Sequence, residues 1–504
     1  GPAGANNGDG AGQASVNVAN SRRYTPTRNR SHAVRRRSLC KVRAPLYIRS
    51  MIDKPSQPAD PERNRLTGRI ARTAKVGANL SGAGLAFAAQ SLFGGDEGDQ
   101  RIAKALAAAL GKSKGPLMKV AQLLSTVPDL LPAEYAAEFA QLQAEAPAMG
   151  WPFVKRRMRA ELGAGWETRF ASFGKEASHA ASLGQVHRAT LHDGRDVACK
   201  LQYPDMASAV ESDVSQLRTL LGMFKRMDGS IDPDAMVDEI TDRLREELDY
   251  AREAKHMALY RAMLADKDFV TCPAPVPELS TERLLTMSWL SGDKLDKFET
   301  APQETRNRIA EMLFWTWWGP MNSYAVIHGD PHLGNYQVTG GGTGINLLDF
   351  GCVRIFPAKF VGGVVDLYRA MRNDDFDAAY AAYETWGFQN LSRDLVEVLN
   401  VWARFIYGPI IDDRVRTVAD GVTAGEYGRK EAFRVRQLLK EKGPVKIPRE
   451  FVFMDRAAIG LGAAYLRLGA ELNFHRLFED SLDGFSIEAV AARQAAALNA
   501  AGLA

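Results

Sequence analysis

The sequence predicts an α+β fold with two lobes, a β-rich lobe followed by a large helical one, and a helical segment in front of both. The front segment shows helical apolar periodicity and good helix formers at residues 100–110 and 132–144. After residue 180 the pattern changes to two strand-like runs around the turn pair Asp193-Gly194. Beyond residue 356 the apolar residues again recur at helical spacing as far as the C-terminus.

These changes of pattern divide the chain into four segments. We expect residues 1–60 to be a disordered basic tail, because they are rich in Gly, Asn, Ser, Pro and Arg and lack apolar periodicity. Residues 61–165 are predicted to form the helical extension, residues 166–290 the N-lobe and residues 291–504 the C-lobe. The C-lobe is thus the largest of the four.

The charge of the chain is distributed unevenly. Its 504 residues are 46% apolar and 25% charged, which is typical of a soluble globular protein, and the formal net charge is +4. The first 50 residues hold ten Lys and Arg against the single acid Asp9, so the rest of the chain is net negative. This distribution predicts no nucleic-acid partner for the folded body.

The start of the tail is open to three interpretations. Gly1-Pro2 is typical of a tag-cleavage scar, and Met51 is a candidate natural start with upstream sequence before it. An Arg-rich, Ser-containing and acid-poor segment is also typical of an organelle transit peptide.

Cysteine usage and hydropathy indicate the compartment. Four cysteines, at positions 40, 199, 272 and 352, fit neither a disulfide framework nor a metal motif, so we expect a reducing compartment. No apolar run reaches the roughly 18 residues of a transmembrane helix, so any membrane contact would be peripheral, through residues 65–92 or the basic tail. We expect a cytoplasmic protein, peripheral at a bacterial inner membrane, or one on the mitochondrial matrix side if the tail is a transit peptide.

Lys200 is the first candidate for chemistry. It ends the run Val197–Lys200 in the second strand of the predicted hairpin, where a lysine can hold nucleotide phosphates. Such a lysine needs a carboxylate from a following helix, and we expect Glu247, on a long helix predicted over residues 234–262, to supply it. The alternative for Glu247 is a solvated acidic face.

The strongest motif pair lies in the C-lobe. Asp330 and Asn335 have the Asp-x-x-x-x-Asn spacing of a phosphotransferase loop, in which the Asp orients the attacking hydroxyl or water and the Asn holds a divalent cation. Asp349 opens an Asp-Phe-Gly tripeptide after an apolar strand, where a carboxylate can bind Mg²⁺. Because Pro331 disfavours a regular helix there, His328 is predicted to be a scaffold group that hydrogen-bonds the loop and the Asp-Phe-Gly backbone.

Over residues 110–480 these features resemble the UbiB family of atypical protein-kinase-like proteins. The resemblance is carried by an Ala-rich nucleotide loop, a Val-Ala-Cys-Lys strand, a Glu-x-Asp pair and a segment similar to the Lys-x-Gly-Gln signature: Ala180, Ala181, Ser182, Gly184, Lys200, Glu247, Asp249, Lys119 and Gln122.

The resemblance implies a two-lobed protein-kinase-like fold with an N-terminal helical extension and a large helical C-lobe. It implies ATP or ADP with Mg²⁺, a link to isoprenoid quinone (ubiquinone) biosynthesis, and hydrolysis or phosphotransfer to a small or lipid-derived molecule rather than to protein. By the same likeness, Lys119 and Gln122 would regulate the site through Asp249 or Glu247, and Met287 and Trp289 would lie at the nucleotide hinge.

Two other functions stay open from the sequence. One is a small-molecule kinase of the choline or aminoglycoside phosphotransferase type, which shares the His-Gly-Asp-x-His-x-x-Asn loop but lacks the Ala-rich loop. The other is a nucleotide-switched, non-catalytic scaffold for a membrane-associated biosynthetic complex. A homodimer is a further partner that the sequence leaves open.

Overall fold

The protein is described from a computed structural model that covers residues 148–504, with gaps at 181–182, 212–213, 216–217, 219–240, 243, 420, 424–426 and 444–447. Most of the predicted helical extension therefore lies outside the described residues, as do Lys119, Gln122, Ala181 and Ser182.

The described part of the N-lobe contains a small sheet and two named helices. In chain order its elements are α1 (Trp151–Leu162), β1 (Ser172–Phe173), β2 (His179–Ala180), β3 (Gly184–Thr190), β4 (Asp196–Gln202), α2 (Tyr250–Met263), β5 (Val270–Thr271) and β6 (Leu284–Ser288). The sheet has the order β1-β3-β4-β6, with β2 also paired to β3, and β5 belongs instead to a C-lobe sheet. Val154 and Met158 of α1 are fully buried in the cluster under this sheet.

The hairpin β3–β4 forms where the sequence predicts it. The Leu191 carbonyl accepts a hydrogen bond from the Gly194 amide at 3.0 Å, and Gly194 has φ of +85°, which favours glycine. The register places Lys200 opposite Val186 on one side and Leu285 on the other, in the centre of the sheet. Lys200 is thereby fixed on a strand that is paired along both edges.

The long helix predicted over residues 234–262 is not continuous, which corrects that prediction. Within its described part, a turn interrupts it at residues 248–249, and α2 begins again at Tyr250. The reason is that Asp249 is a good N-cap, and its carboxylate accepts the Arg252 amide at 2.9 Å. Glu247 therefore lies before the new helix, and Glu253 lies on its first turn.

The C-lobe is mainly helical, as predicted. Its helices are α3 (Gln303–Tyr324), α4 (Ala358–Asn373), α5 (Phe376–Thr385), α6 (Arg393–Ile411), α7 (Arg429–Lys442), α8 (Arg449–Leu468), α9 (Phe474–Ser481) and α10 (Ile487–Ala501). Its short strands are β7 (Val326–His328), β8 (Tyr336–Thr339), β9 (Gly344–Leu347) and β10 (Val353–Ile355). β7 pairs with β10, while β5, β9 and β8 form a three-stranded sheet.

The aromatic run on α3 belongs to the C-lobe core. Phe314 and Trp317 are buried at 2% and 0% exposure, and the Trp317 indole N–H donates to the His328 carbonyl at 3.1 Å. This contact ties the main core helix to β7, the strand that leads into the Asp330 loop. In the part of the chain that the structure describes, no helix is both long and apolar enough to cross a membrane.

Helix α8 packs closely on its neighbours through glycines. A Cβ added at Gly462 would lie 2.1 Å from Cε1 of the Tyr427 ring, whereas one added at Gly408 on α6 meets nothing within 4 Å.

We expect Gly462→Ala to lower the free energy of unfolding by about 1–3 kcal/mol, because the rigid ring must move. Gly408→Ala is the control and should change it by less than Gly462→Ala does, since the gain from replacing a helical glycine is opposed by the contact of the new Cβ with the neighbouring Pro409 ring. Urea unfolding of both variants measures the two changes. Gly462→Ala as stable as Gly408→Ala would contradict the close packing of α8.

Candidate active site

Both lobes line a cavity of about 940 Å³. The N-lobe contributes strand and hinge residues, and the C-lobe contributes the Asp330 loop, the Asp-Phe-Gly segment and one face of α8. The lining includes Ala180, Lys200, Met287, Trp289, Asn335, Asp349, Gly460 and Ala463. Candidate site residues that are far apart in the sequence thus meet around one cleft.

A buried ion pair crosses this cleft from β4 to α2. The Lys200 ammonium donates to both carboxylate oxygens of Glu253, at 2.7 and 2.9 Å, and the two side chains are 16% and 2% exposed. Burial by itself would lower the pKa of Lys200, but the carboxylates of Glu253 and Asp349 outweigh it and raise the pKa above its ordinary value. Lys200 therefore stays cationic inside the cleft.

The prediction that Glu247 holds Lys200 is wrong: the helix breaks at Asp249, and the paired carboxylate is Glu253, six residues further along. Glu247 lies beside the Asp-Phe-Gly segment instead, with its Cγ 3.9 Å from a Cβ built on Gly351. Asp249, predicted to be regulatory, caps α2, and its predicted partners Lys119 and Gln122 lie outside the described residues.

The Asp330 loop is held by two side chains. Asn335 donates its amide N–H groups to the Asp330 carboxylate at 2.9 Å and to the Asp330 carbonyl at 3.1 Å. Arg456, from α8, donates to the other carboxylate oxygen at 3.2 Å. Sequence reasoning missed Arg456, because it follows Asp330 by 126 positions and lies in no local motif.

His328 connects the Asp330 loop to the Asp-Phe-Gly segment, in the scaffold role predicted for it. Its Nε2 hydrogen-bonds the Asp349 carbonyl, and its Nδ1 accepts the Asp330 amide at 3.3 Å. Because a carbonyl can only accept, the proton of a neutral ring resides on Nε2. One imidazole thus fixes the backbone on both sides of the two candidate catalytic carboxylates.

His256 ties α2 to the same segment from the N-lobe side. Its Nδ1–H donates to the Phe350 carbonyl at 3.1 Å, and the residue is 1% exposed. Burial lowers the pKa of His256 to about 4, so the ring is neutral at physiological pH. The sequence offered no signal for this role, because the contact joins residues 94 positions apart.

The predicted hinge closes the other end of the cavity. Trp289 stacks with His179 at a centroid distance of 6.4 Å, and the Arg188 guanidinium lies 5.2 Å from the Trp289 ring. Met287 and Ala180 line the same end. Gly184 instead packs on β4, where a Cβ would lie 2.4 Å from the Leu201 carbonyl oxygen. Ala180 and the predicted hinge residues therefore line the same cavity.

The cleft offers oxygen ligands suited to a hard cation. Asn335 and Asp349 both line the cavity and carry the amide and carboxylate oxygens that Mg²⁺ prefers. Within the described ranges, no group of three or more His, Cys, Asp or Glu side chains is placed to hold a metal alone. Two protein ligands plus phosphate oxygens and water fit the way in which Mg²⁺ binds with nucleotides.

Known proteins match this chain over most of its length. Residues 141–383 match the ABC1 atypical kinase-like domain. The chain is 27% identical to the mitochondrial atypical kinase COQ8 of Saccharomyces cerevisiae, over 82% of this chain and 85% of that protein. It is 28% identical to the mitochondrial atypical kinase COQ8B of Rattus norvegicus, over 83% and 81%. A Mycobacterium tuberculosis protein solved in complex with erythromycin is 26% identical, with a TM-score of 0.53 over 75% of this chain and 95% of that one.

The fold and the cleft are those of a protein-kinase-like phosphotransferase. Residues 141–383 match the ABC1 atypical kinase-like domain, and the COQ8 relatives confirm the UbiB-type resemblance. These matches support a kinase-type phosphotransferase role for the chain.

We expect Glu253→Gln to weaken ADP binding by about tenfold or more, because the amide no longer holds the Lys200 ammonium in place for the phosphates. Glu278→Gln, an exposed change in the same lobe, is the control and should leave the affinity unchanged. Calorimetric titration with ADP and Mg²⁺ measures both. Unchanged affinity in Glu253→Gln would show that the pair does not position Lys200.

We expect His256 to make stability depend on pH. The folded pKa of about 4 lies below the ordinary value of 6.5, so the contribution of the neutral ring is complete above pH 6.5 and declines as the pH falls toward 4. The total decline is about 3 kcal/mol.

The measurement is urea unfolding of the wild type and of His256→Gln between pH 7 and 5, with the exposed His192→Gln as control. The stability advantage of the wild type over His256→Gln should shrink as the pH falls. An advantage that stays constant across this range would contradict a buried neutral His256.

Proposed function

We propose that this chain is a Mg²⁺-dependent UbiB-type enzyme that hydrolyses ATP or transfers its γ-phosphoryl group to a small or lipid-derived hydroxyl compound, in support of isoprenoid quinone (ubiquinone) biosynthesis. The observation that carries the proposal is the Lys200–Glu253 pair, whose lysine lines one cavity with Asn335 and Asp349.

Each side chain has a part that its position supports. Lys200 holds the α- and β-phosphates, and Glu253 keeps its ammonium pointed into the cleft. Asn335 and Asp349 are the protein ligands for Mg²⁺, which neutralises phosphate charge as it develops. Met287 and Trp289 flank the nucleotide at the hinge end.

Asp330 is the group that takes the proton. The acceptor oxygen bonds to the γ-phosphorus, the bond from that phosphorus to the bridging oxygen of ADP breaks, and the acceptor proton passes to the Asp330 carboxylate. His328 and Asn335 hold the backbone and carboxylate of Asp330 for this step. Catalysis then rests on positioning and charge rather than on a covalent intermediate.

The packing of α8 favours a small acceptor. A Cβ added at Gly460 would lie 2.2 Å from Cγ of Pro331, the residue after Asp330. The helix therefore occupies the space beside the Asp330 loop, where a bulky acceptor such as a folded protein would have to enter. This supports small-molecule phosphotransfer over protein phosphorylation.

The proposed lipid-derived substrate also favours a location of the enzyme at a membrane. Isoprenoid quinone precursors partition into bilayers, and the matched COQ8 proteins are named as mitochondrial. We place the enzyme at the surface of the membrane that holds its substrate, as a peripheral protein.

We expect Asp330→Asn to bind ADP with Mg²⁺ normally but to lose about 10²–10⁴ in ATP turnover, because only the general base is removed. Asp349→Asn should lose the Mg²⁺ dependence of ADP binding itself, while the exposed Asp377→Asn is the control for both readouts. Full turnover in Asp330→Asn would contradict the assigned base.

The quinone assignment needs a separate measurement. ATP turnover by the wild type should rise when vesicles carry a polyprenylated phenol, compared with the same vesicles without it. Equal turnover with both vesicles would contradict the quinone link and leave the kinase assignment intact.

A further inference from the structure

Arg456 lies at the edge of the cleft, against the proposed base. The Asp330 loop lines the cavity with residues 331–335. Arg456 contacts Asp330, the residue just before this stretch, next to where an acceptor must reach the proposed base.

Arg456 has hydrogen-bonding capacity to spare. Its side chain is only 16% exposed, and in the described part of the chain its one hydrogen bond is from Nη2 to Asp330. A guanidinium has five N–H donors in a fixed fork, so most of this fork is available to a ligand. The Arg456 nitrogens that make no hydrogen bond are not fully buried, so a ligand can contact them.

A second arginine of α8, Arg467, lines the cavity but is paired with Glu299 at 2.7 Å. Between the two arginines, α8 presents the small residues Gly460, Ala463 and Ala464. Arg456 is thus the cation of α8 that contacts Asp330, the proposed base.

A planar guanidinium with free donors in a largely dehydrated position binds carboxylate or phosphate best, often through two parallel hydrogen bonds. The four N–H groups that Arg456 has left can bind such an anion while Nη2 keeps its hydrogen bond to Asp330. The bound anion would then lie beside the proposed base.

We propose that Arg456 binds the anionic group, a carboxylate or a phosphate, of a small hydroxyl-bearing acceptor and so selects anionic acceptors over neutral ones. The proposal rests on the proposed phosphotransfer at Asp330. The acceptor hydroxyl attacks the γ-phosphorus, ADP leaves, and the proton goes to the Asp330 carboxylate.

The experiment measures dissociation constants on the full chain loaded with ADP and Mg²⁺, using two matched probe pairs. One pair is 4-hydroxybenzoate and 4-hydroxybenzamide, and the other is glycerol 3-phosphate and glycerol. In the wild type, the anion of at least one pair should bind about tenfold or more tightly than its neutral partner. The pair that shows the preference distinguishes a carboxylate from a phosphate as the recognised group.

The preference should vanish in Arg456→Gln and survive in part in Arg456→Lys, which keeps the charge without the planar fork. Arg434→Gln, an exposed change on α7, is the control and should keep the full preference. An ADP titration of each variant checks that the cleft is folded.

The proposal is overturned if the preference persists in Arg456→Gln, or if neither anion outbinds its neutral partner in the wild type, including the case where no probe binds. A failure of the proposed function looks different. The wild type would then not bind ADP or turn over ATP, and the anion preference would still be measurable on the nucleotide-free protein.

Discussion

The buried ion pair between Lys200 and Glu253 joins the two parts of the N-lobe that the site requires, the central strand β4 and the helix α2. A lysine ammonium at 16% exposure is costly unless a carboxylate compensates it, and Glu253 does so with both oxygens. Glu253 lies on the first turn of α2, just after the Asp249 cap. The partner of Lys200, the candidate phosphate-binding group, thus depends on where α2 begins.

Two histidines connect α2 by hydrogen bonds to the C-lobe. His256 links α2 to the Phe350 carbonyl, and His328 links the next carbonyl along, that of Asp349, to the Asp330 loop. The Trp317 indole then fixes the His328 carbonyl to the core of the C-lobe. A movement of α2 would therefore shift the backbone at both candidate catalytic carboxylates, Asp330 and Asp349, because direct hydrogen bonds connect them to α2.

The sequence predicted what is local and missed what depends on packing. The hairpin around Gly194 and the spacing from Asp330 to Asn335 are local patterns, and they were enough to predict the β-rich lobe and most of the cleft residues. The helical pattern predicts Glu247 as the partner of Lys200, because apolar spacing alone does not show that Asp249 caps a new helix. Arg456 could not be found from the sequence, because it reaches Asp330 only after α8 folds back across the loop.

The central claim is that Glu253 acts on nucleotide binding through Lys200. A double-mutant cycle tests it most directly, with Lys200→Met, Glu253→Gln and the double variant compared for their binding free energies for ADP with Mg²⁺. The structure predicts strong coupling, about 1.5 kcal/mol or more, with the double variant little worse than Lys200→Met alone. Additive losses in the two single variants would contradict the claim.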